Sequence, residues 1–145
     1  MKNIPKVKDI MSKDLFFVSW NDTLRKVLDF IKNEKVRHIP VVEDGKFVGL
    51  IDENRVNEYI RKKIYDPEEE IEEAEFSTIS DFDYLVKRDV KVLFPEDSIL
   101  KALELFIKKK GECFPVVDED FNLLGIVSYI DLLLFMYKDL SEKAN

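Results

Sequence analysis

The sequence predicts an α+β fold made of two copies of one strand-helix-strand-strand-helix unit. Three observations predict it: an internal repeat, helical periodicity at the same place in both copies, and a strand-turn-strand pattern after each helix. Pro40-Val41-Val42-Glu43 matches Pro115-Val116-Val117-Asp118 at an offset of 75 residues. The offset becomes 76 between Gly49-Leu50-Ile51 and Gly125-Ile126-Val127. We therefore expect a one-residue insertion in the loop between these strands of the second copy, because loops tolerate insertions.

An amphipathic helix is predicted near the start of each copy, because apolar residues recur at the spacing i, i+3, i+4, i+7. These residues are Leu24, Val27, Leu28 and Ile31 in the first copy and Ile99, Ala102, Leu103 and Phe106 in the second. Asp22 is the expected cap of the first helix. The second helix is expected to close with three lysines, 108–110, and Gly111 just beyond them.

Each helix is followed by a predicted β-hairpin and a last helix. In the first copy the strands are residues 37–43 and 46–51, joined by the Asp44-Gly45 turn, and the helix is residues 53–63. The last helix of the second copy is residues 129–140. We divide the chain into a first repeat with its N-terminal segment (1–63), an acidic linker (64–80) that we expect to be solvated, and a second repeat (81–145).

Composition excludes several classes of function. The chain has 145 residues, a net charge of −7 and no apolar run near the ~20 residues that span a bilayer, so neither nucleic acid nor membrane is an expected partner. No N-terminal signal peptide is evident, which predicts a cytoplasmic protein. One Cys and one His make neither an internal disulfide nor a structural zinc site, so no metal is expected.

The ordered motifs resemble the cystathionine β-synthase (CBS) domain, and two copies resemble a Bateman module. The resemblance is carried by Asp9-Ile10-Met11, the helix capped at Asp22, the Pro-Val-Val-acidic strand and the Gly-hydrophobic-hydrophobic strand before a helix. It covers residues 4–140, so we do not expect an attached enzyme or channel. It implies two repeats packed about a pseudo-twofold axis, dimerisation into a disc, and adenosine-containing ligands bound in clefts between the copies.

The resemblance implies that Ser128 and Asp131 bind a ribose, since Gly125-Ile126-Val127-Ser128-Tyr129-Ile130-Asp131 matches the family pattern in full. An ionised carboxylate can accept hydrogen bonds from both hydroxyls of a cis-diol. The same spacing is also close to a capping box, so a purely structural role stays open. The first copy keeps a cap in Asp52 but has Arg55 in place of the carboxylate, unfavourably placed at a helix start, so we expect a degenerate site there.

A phosphate-binding role for Arg37 or His38 is also implied, because family members place basic side chains just before the Pro-Val-Val strand. Neighbouring strand residues point to opposite faces, so only one of the two is expected to enter the cleft. The alternative is that Arg37 lies along a strand edge and His38 is a satisfied polar residue. Glu112 occupies the position equivalent to Arg37 and would repel phosphate, pair with Arg37, or favour an amine-bearing ligand such as S-adenosylmethionine.

By the same resemblance, adenine is expected near Val92, Cys113 and Phe114. Cys113 and His38 are at equivalent positions, and a thiolate beside an imidazole is a known nucleophile arrangement. We nevertheless predict no catalytic residues, because nothing evident orients the imidazole and a buried cysteine is ordinarily a small hydrophobe.

The last helix carries six consecutive apolar residues, 132–137, and so must pack on more than one side. Part of this surface is expected to meet the first copy, and the rest to form a homodimer interface; burial within the monomer alone is the alternative.

Together these observations predict a stand-alone regulatory module, without a cofactor, that senses an adenine nucleotide. AMP is the simplest ligand, with ADP and ATP as further candidates, and an unidentified regulated protein is an expected partner. The alternatives are an interaction or scaffold protein with a vestigial site, a sensor of S-adenosylmethionine, and the Cys/His enzyme.

Overall fold

The computed structural model describes residues 3–64 and 75–144. Most of the predicted acidic linker, including the glutamate-rich stretch of residues 66–74, lies outside the described residues. Among the residues that are described, no helix is both long and apolar enough to cross a bilayer.

Helices and strands follow the predicted order within each copy. In chain order they are α1 (Val7–Ile10), α2 (Leu24–Asn33), β1 (His38–Glu43), β2 (Lys46–Asp52), α3 (Glu53–Ile64), a 3₁₀ helix (Ile79–Leu85), α4 (Ile99–Ile107), β3 (Cys113–Val117), β4 (Leu123–Ser128) and α5 (Tyr129–Ala144). The hairpins β1-β2 and β3-β4 are antiparallel. The predicted first strand of each copy is reduced to a single parallel bridge, from Val18 to Val41 and from Leu93 to Val116.

The inserted residue lies in the second hairpin loop, as predicted. The first hairpin turns through Asp44 and Gly45, both with positive φ, which is the two-residue turn that suits strand twist. The second hairpin uses the longer loop 118–122, in which Phe121 has a positive φ of 67°. Both hairpins carry a register shift at the same place, after Val41 and after Val116.

The chain forms two compact units, and these do not coincide with the two repeats along the sequence. The first-repeat unit is residues 16–89, and the second-repeat unit combines residues 1–15 with residues 90–145. The N-terminal segment, which we grouped with the first repeat, therefore belongs to the compact unit of the second.

In the second-repeat unit, the N-terminal segment pairs with β4. Ser12 and Ile126 exchange two backbone hydrogen bonds, of 2.8 and 3.0 Å. Gly125 permits this approach, because a Cβ there would lie 2.6 Å from Met11 Sδ and 2.9 Å from the Ser12 carbonyl oxygen. Val7 of α1 is fully buried in the core of this unit.

The first-repeat unit contains the equivalent arrangement, made by the residues at the start of the second repeat, just before its first helix. Lys87 and Leu50 exchange backbone hydrogen bonds of 2.8 and 2.9 Å. A Cβ on Gly49 would lie 2.6 Å from Val86 Cγ1 and 2.7 Å from the Lys87 carbonyl oxygen. Each hairpin is thus flanked by the segment that leads into the other repeat.

Two predicted helix boundaries are corrected by the structure. The N-cap of α2 is Thr23, whose side chain accepts from the Lys26 N–H at 3.4 Å, whereas Asp22 accepts the Ser19 N–H. Beyond α4 the left-handed residue is Lys109, with φ of 56°, and not Gly111. Gly111 is instead required by close packing, because a Cβ there would lie 2.8 Å from the Phe114 ring.

Candidate functional site

Ser128 and Asp131 are brought together at the junction of β4 and α5. Asp131 Oδ2 accepts the Ser128 backbone N–H at 2.8 Å and the Ser128 hydroxyl at 3.1 Å. Both hydrogen bonds end on Oδ2, so neither occupies Oδ1. Both residues are half-buried. The carboxylate therefore stabilises the helix start and still has an oxygen to offer a ligand hydroxyl.

The bond from Asp131 to the Ser128 N–H is a local device that recurs in this chain. Asp9, Asp22 and Asp97 each accept the backbone N–H of the residue three positions earlier, at distances of 2.9, 2.7 and 2.8 Å. An aspartate at this position satisfies a backbone donor that would otherwise be unpaired at a chain reversal. The structural role of Asp131 is thus present, and any ligand-binding role is additional to it.

Cys113 lies directly opposite Ser128 in the hairpin register and is only 5% exposed. Burial raises the pKa of its thiol to about 12, with further increases from the negative charges of Asp131 and Glu112. Cys113 is therefore a neutral thiol at physiological pH, which does not suit a nucleophile.

The residues expected around adenine are unequally placed. Val92 is half-buried. Phe114 is fully buried, with its ring centroid 4.6 Å from that of Phe106. The Phe114 ring is therefore part of the core, because β3 is buried along its whole length. The position of adenine near these residues stays a prediction.

At the equivalent junction of the first repeat, the cationic Arg55 stands in place of the anionic Asp131. Asp52 Oδ1 accepts the Arg55 backbone N–H at 2.8 Å, which confirms Asp52 as a cap. Arg55 Nε lies 3.8 Å from Asp52 Oδ2. The expected electrostatic penalty on Arg55 is thus offset by its own cap residue. Because the Arg55 guanidinium cannot accept a hydrogen bond from a hydroxyl group, this junction does not reproduce the diol-binding chemistry of Ser128 and Asp131.

Arg37 and His38 lie at the start of β1, in the first-repeat unit. Arg37 Nε contacts Glu53 Oε2 at 3.3 Å, and the Arg37 carbonyl oxygen accepts the Glu53 N–H at 2.8 Å. The Arg37 side chain is 79% exposed, so this ion pair is weak and easily exchanged for another anion. His38 is half-buried and lies opposite Asp52 in the hairpin register.

Sequence reasoning missed a pocket in each unit, between the last helix and the segment docked beside it. In the first-repeat unit a pocket of 330 Å³ is lined by Arg55, Glu58, Tyr59, Lys62, Tyr84 and Leu85. In the second-repeat unit a pocket of 690 Å³ is lined by residues of the N-terminal segment and Phe135. Each pocket forms because a particular segment docks beside a particular hairpin. The local sequence of the segment does not indicate that pairing. Within the described part of the chain, no cluster of three or more His, Cys, Asp or Glu side chains is arranged to hold a metal ion.

Comparison with known proteins identifies the repeated unit. The family model of the CBS domain matches residues 7–62 and 79–138. The CBS domain-containing protein MJ0729 of Methanocaldococcus jannaschii is 31% identical over 137 residues, which cover 94% of this chain and 98% of that protein. Other curated relatives are longer: the chain spans 43% of MJ0188 of the same organism and 20% of a homoserine O-acetyltransferase of Methanosarcina acetivorans.

Solved structures show the same fold. The CBS domain pair of protein MJ0100, in complex with 5′-methylthioadenosine and S-adenosyl-L-methionine, superposes with a TM-score of 0.75 at 20% identity, covering 94% of this chain and 99% of that one. CBSX2 in complex with AMP superposes with a TM-score of 0.72 at 21% identity, covering 92% and 97% of the two chains.

Proposed function

Since the chain belongs to the CBS-domain family and contains two CBS repeats, we propose that it is a regulatory module that binds an adenosine-containing ligand through the junction of Ser128 and Asp131. AMP is the first candidate ligand, and ADP and ATP are the next. The activity is regulatory and not enzymatic, which agrees with the neutral state of the buried Cys113 thiol. The enzyme activity in the name of one relative is not transferred, because the chain spans only a fifth of that protein.

The observation that carries the proposal is the half-buried Asp131 carboxylate with Oδ1 outside both of its hydrogen bonds to Ser128. The two hydrogen bonds from Ser128 fix the orientation of the Asp131 carboxylate. Its second oxygen, Oδ1, is therefore oriented before a ligand binds. Charge-assisted hydrogen bonds from ribose hydroxyls to such an oxygen are stronger than neutral ones. The Ser128 hydroxyl, which donates to Asp131, retains lone pairs that can accept from a ligand.

The proposal assigns ribose binding to the second repeat only. Arg55 replaces the carboxylate in the first repeat and pairs with Asp52. A diol would find no acceptor at position 55. We therefore propose one ribose site per chain.

We propose that Arg37 or His38 binds a phosphate group of the ligand. The high exposure of Arg37 and its pairing with an exchangeable carboxylate support Arg37 over His38. Val92 and the backbone of Cys113 and Phe114 are the proposed contacts of the base. The Phe114 ring is left out, since it is buried in the core.

S-adenosylmethionine or a related thioether nucleoside is the second candidate ligand. Glu112 favours it, because a carboxylate near the site would attract the amine or sulfonium group and repel phosphate. The solved complex of MJ0100 contains ligands of this class, whereas that of CBSX2 contains AMP. A scaffold protein with no ligand is the outcome if neither class binds.

The test is calorimetric titration with AMP, ADP, ATP and S-adenosylmethionine. Asp131→Asn is the informative variant, because an amide oxygen can still accept the Ser128 N–H and keep the helix start while the charge is lost. We expect a ten- to hundredfold loss of affinity, since a hydrogen bond to a charged group contributes about 1.5–3 kcal/mol. Arg55→Ala, at the equivalent position of the first repeat, is the matched control and should leave affinity unchanged.

Two results would contradict the proposal. If no member of the panel binds the wild-type protein, the site is vestigial and the scaffold alternative is favoured. If a ligand binds and Asp131→Asn leaves its affinity unchanged, the ribose is not held at this junction. Arg37→Ala separates the phosphate contact, because it should weaken AMP binding and leave S-adenosylmethionine binding intact.

Self-association into a homodimer is the second part of the proposal. The support is the exposed apolar surface of α5, where Leu133, Leu134 and Tyr137 are each more than half exposed. A regulatory module transmits ligand binding only if the ligand favours one arrangement of the assembly over another. A dimer would provide such alternative arrangements.

A further inference from the structure

The pocket of 330 Å³ in the first-repeat unit combines charged side chains of α3 with two tyrosine rings. We refer to it as the α3 pocket. Tyr84 and Leu85 of the 3₁₀ helix form one side of it. The α3 residues that line it have the i, i+3, i+4, i+7 spacing of a single helix face: Arg55, Glu58, Tyr59 and Lys62. A pocket of this volume suits a small organic molecule.

The segment that carries Tyr84 is three residues longer than its counterpart in the second-repeat unit. Equivalent β-bridges mark the two ends of each segment, at Lys6 and Ser12 in the second-repeat unit and at Thr78 and Lys87 in the first-repeat unit. The chain advances six residues between the first two bridges and nine between the other two. The longer segment forms a 3₁₀ helix of seven residues where α1 has four. Tyr84 lies within this extended stretch, so the repeat fold does not itself require it.

Tyr59 and Tyr84 form the aromatic wall of the α3 pocket. Their ring centroids are 6.3 Å apart, and their hydroxyl groups are hydrogen-bonded to each other. Partial burial raises the pKa of both phenols, so both are protonated at neutral pH. Tyr59 donates to Tyr84, because the bond favours the protonated form of the first and the ionised form of the second. The Tyr84 proton is not used in this bond and can be donated to a ligand.

Tyr84 also supplies aromatic surface, because it is 60% exposed. Leu85 beside it is only 5% exposed and gives the pocket an apolar base. A ligand ring that covers Tyr84 would remove apolar area from water on both partners and could adopt a stacked or edge-on geometry. The pocket therefore favours a ligand with an aromatic ring.

The charges of the α3 pocket come in opposite pairs. Lys62 Nζ lies 3.5 Å from Glu58 Oε1, and the two side chains are 75% and 60% exposed. Such an exposed ion pair is weak, so a ligand can open it. Arg55 is compensated by Asp52, at 3.8 Å, which also caps α3. The pocket thus offers one exchangeable anion and one exchangeable cation side by side, which matches a zwitterion.

Further charges around the pocket are balanced in the same way. Lys63 Nζ lies 5.3 Å from the centre of the Tyr59 ring. The carboxylate of Asp83 is close enough to Tyr84 to act on it electrostatically. These residues add one charge of each sign, so the surroundings favour neither a simple anion nor a simple cation.

We propose that the α3 pocket binds an aromatic α-amino acid, with its ammonium group on Glu58, its carboxylate on Lys62 and the Tyr84 hydroxyl, and its ring against Tyr84. An α-amino acid carries both charged groups on one carbon atom, so it can contact both members of a pair whose charged atoms are 3.5 Å apart. Hydrogen bonds between charged groups are stronger than neutral ones. This inference goes beyond the proposed nucleotide binding and does not depend on it.

The second-repeat unit lacks this chemistry. At the offset of 76 residues, Leu134 stands in place of Glu58 and Phe135 in place of Tyr59. Leu134 cannot accept a hydrogen bond from an ammonium group, and Phe135 has no hydroxyl to donate. We therefore assign one amino-acid site to each chain, in the first-repeat unit.

Calorimetric titration with L-phenylalanine tests the proposal. We expect a dissociation constant of about 1 mM or below, from the ligand efficiency of small molecules. The analogues 3-phenylpropionate, which lacks the ammonium group, and 2-phenylethylamine, which lacks the carboxylate, should each bind at least about tenfold more weakly. The absence of binding up to about 10 mM L-phenylalanine, tenfold above the weakest expected dissociation constant, overturns the proposal. Equal affinity for either analogue overturns the assignment of a zwitterion.

Glu58→Gln is the informative variant, because the amide keeps the size of the side chain and removes the charge that holds the ammonium group. We expect a ten- to hundredfold loss of affinity for L-phenylalanine. Glu142→Gln, at an exposed glutamate of α5, is the matched control and should bind normally. Tyr84→Ala should also weaken binding at least about tenfold, whereas Phe76→Ala, at an exposed ring of the same unit, should not. Unchanged affinity in Glu58→Gln and Tyr84→Ala overturns the site.

Titration with AMP separates this site from the ribose junction. Glu58→Gln should leave the affinity for AMP unchanged, and Asp131→Asn should leave the affinity for L-phenylalanine unchanged. A protein that binds L-phenylalanine and no nucleotide would support this inference and contradict the proposed function. Loss of both affinities in a Glu58→Gln protein that keeps its thermal transition would show that the two ligands share one site, which overturns the inference.

Discussion

The carboxylate of Asp131 and the guanidinium of Arg55 occupy equivalent positions in the last helix of each repeat, and they make different contacts. Asp131 accepts from Ser128, whereas Arg55 turns back to its cap, Asp52. The sequence could predict both junctions because each involves residues only three positions apart. It could not predict the ion pair of Arg55 with Asp52, because the Arg55 rotamer depends on which hydrogen bonds the Asp52 carboxylate already makes.

Cys113 is the residue at which an enzymatic role is most directly tested. Its folded pKa of about 12 exceeds the ordinary value of about 9, so the neutral thiol is the form that the fold stabilises. This contribution to stability is fully present below pH 9 and is lost as pH rises from about 9 to 12. At pH 8 we expect negligible labelling of the native protein by a thiol reagent and complete labelling in denaturant.

Rapid labelling of native Cys113 at pH 8 would contradict this expectation. It would show that the thiol is accessible and ionised, and it would reopen the Cys/His alternative. Cys113→Ala serves as the control for labelling at other groups, and it should retain ligand binding.

Helices and hairpins were the most predictable level of this fold. The i, i+3, i+4, i+7 pattern located α2 and α4, and the Asp44-Gly45 turn located the first hairpin. The cap of α2 was misplaced by one residue, because Asp22 and Thr23 are both good capping residues and the sequence does not show which one faces the helix. Gly111 was misinterpreted as a helix terminator, because a glycine needed for packing looks the same in sequence as one needed for positive φ.

Lys109 gives a prediction at the level of the element. The helix end at α4 has the two hydrogen bonds of a Schellman motif, from the Lys109 and Lys110 N–H groups to Phe106 and Leu105. A non-glycine residue with φ of 56° is strained there. We expect Lys109→Gly to raise the free energy of unfolding by about 1 kcal/mol in urea denaturation. Lys108→Gly, where φ is −78°, should lower it; a loss of stability in Lys109→Gly would show that the left-handed residue is not strained.

At the level of the whole molecule, the exchange of leading segments was not predictable from the repeat. The sequence shows that Met11-Ser12 and Val86-Lys87 precede equivalent helices. Nothing in either segment indicates which hairpin it pairs with. The structure assigns each to the other repeat's hairpin, at Gly125 and Gly49. The burial of the Phe114 ring was unpredictable for the same reason, since it depends on packing between residues far apart in the sequence.

This exchange predicts which pieces of the chain fold alone. Residues 81–145 lack the segment that covers Gly125 and contributes Val7 to the core, so we expect this fragment to be unfolded. Residues 90–145 followed by a Gly/Ser linker and residues 1–15 contain the complete second-repeat unit and should show a cooperative thermal transition. Equal stability of the two chains, measured by circular dichroism, would contradict the segment exchange.

The discontinuity of the second-repeat unit also sets an order for folding during synthesis. The first-repeat unit is contiguous, from residue 16 to residue 89, and is complete once those residues have left the ribosome. The N-terminal segment emerges before all of them, yet its partner strand, β4, is made only after residue 122. Val7 must therefore stay unburied through most of the synthesis of this chain. The N-terminal segment is synthesised first and is among the last parts to reach its native contacts.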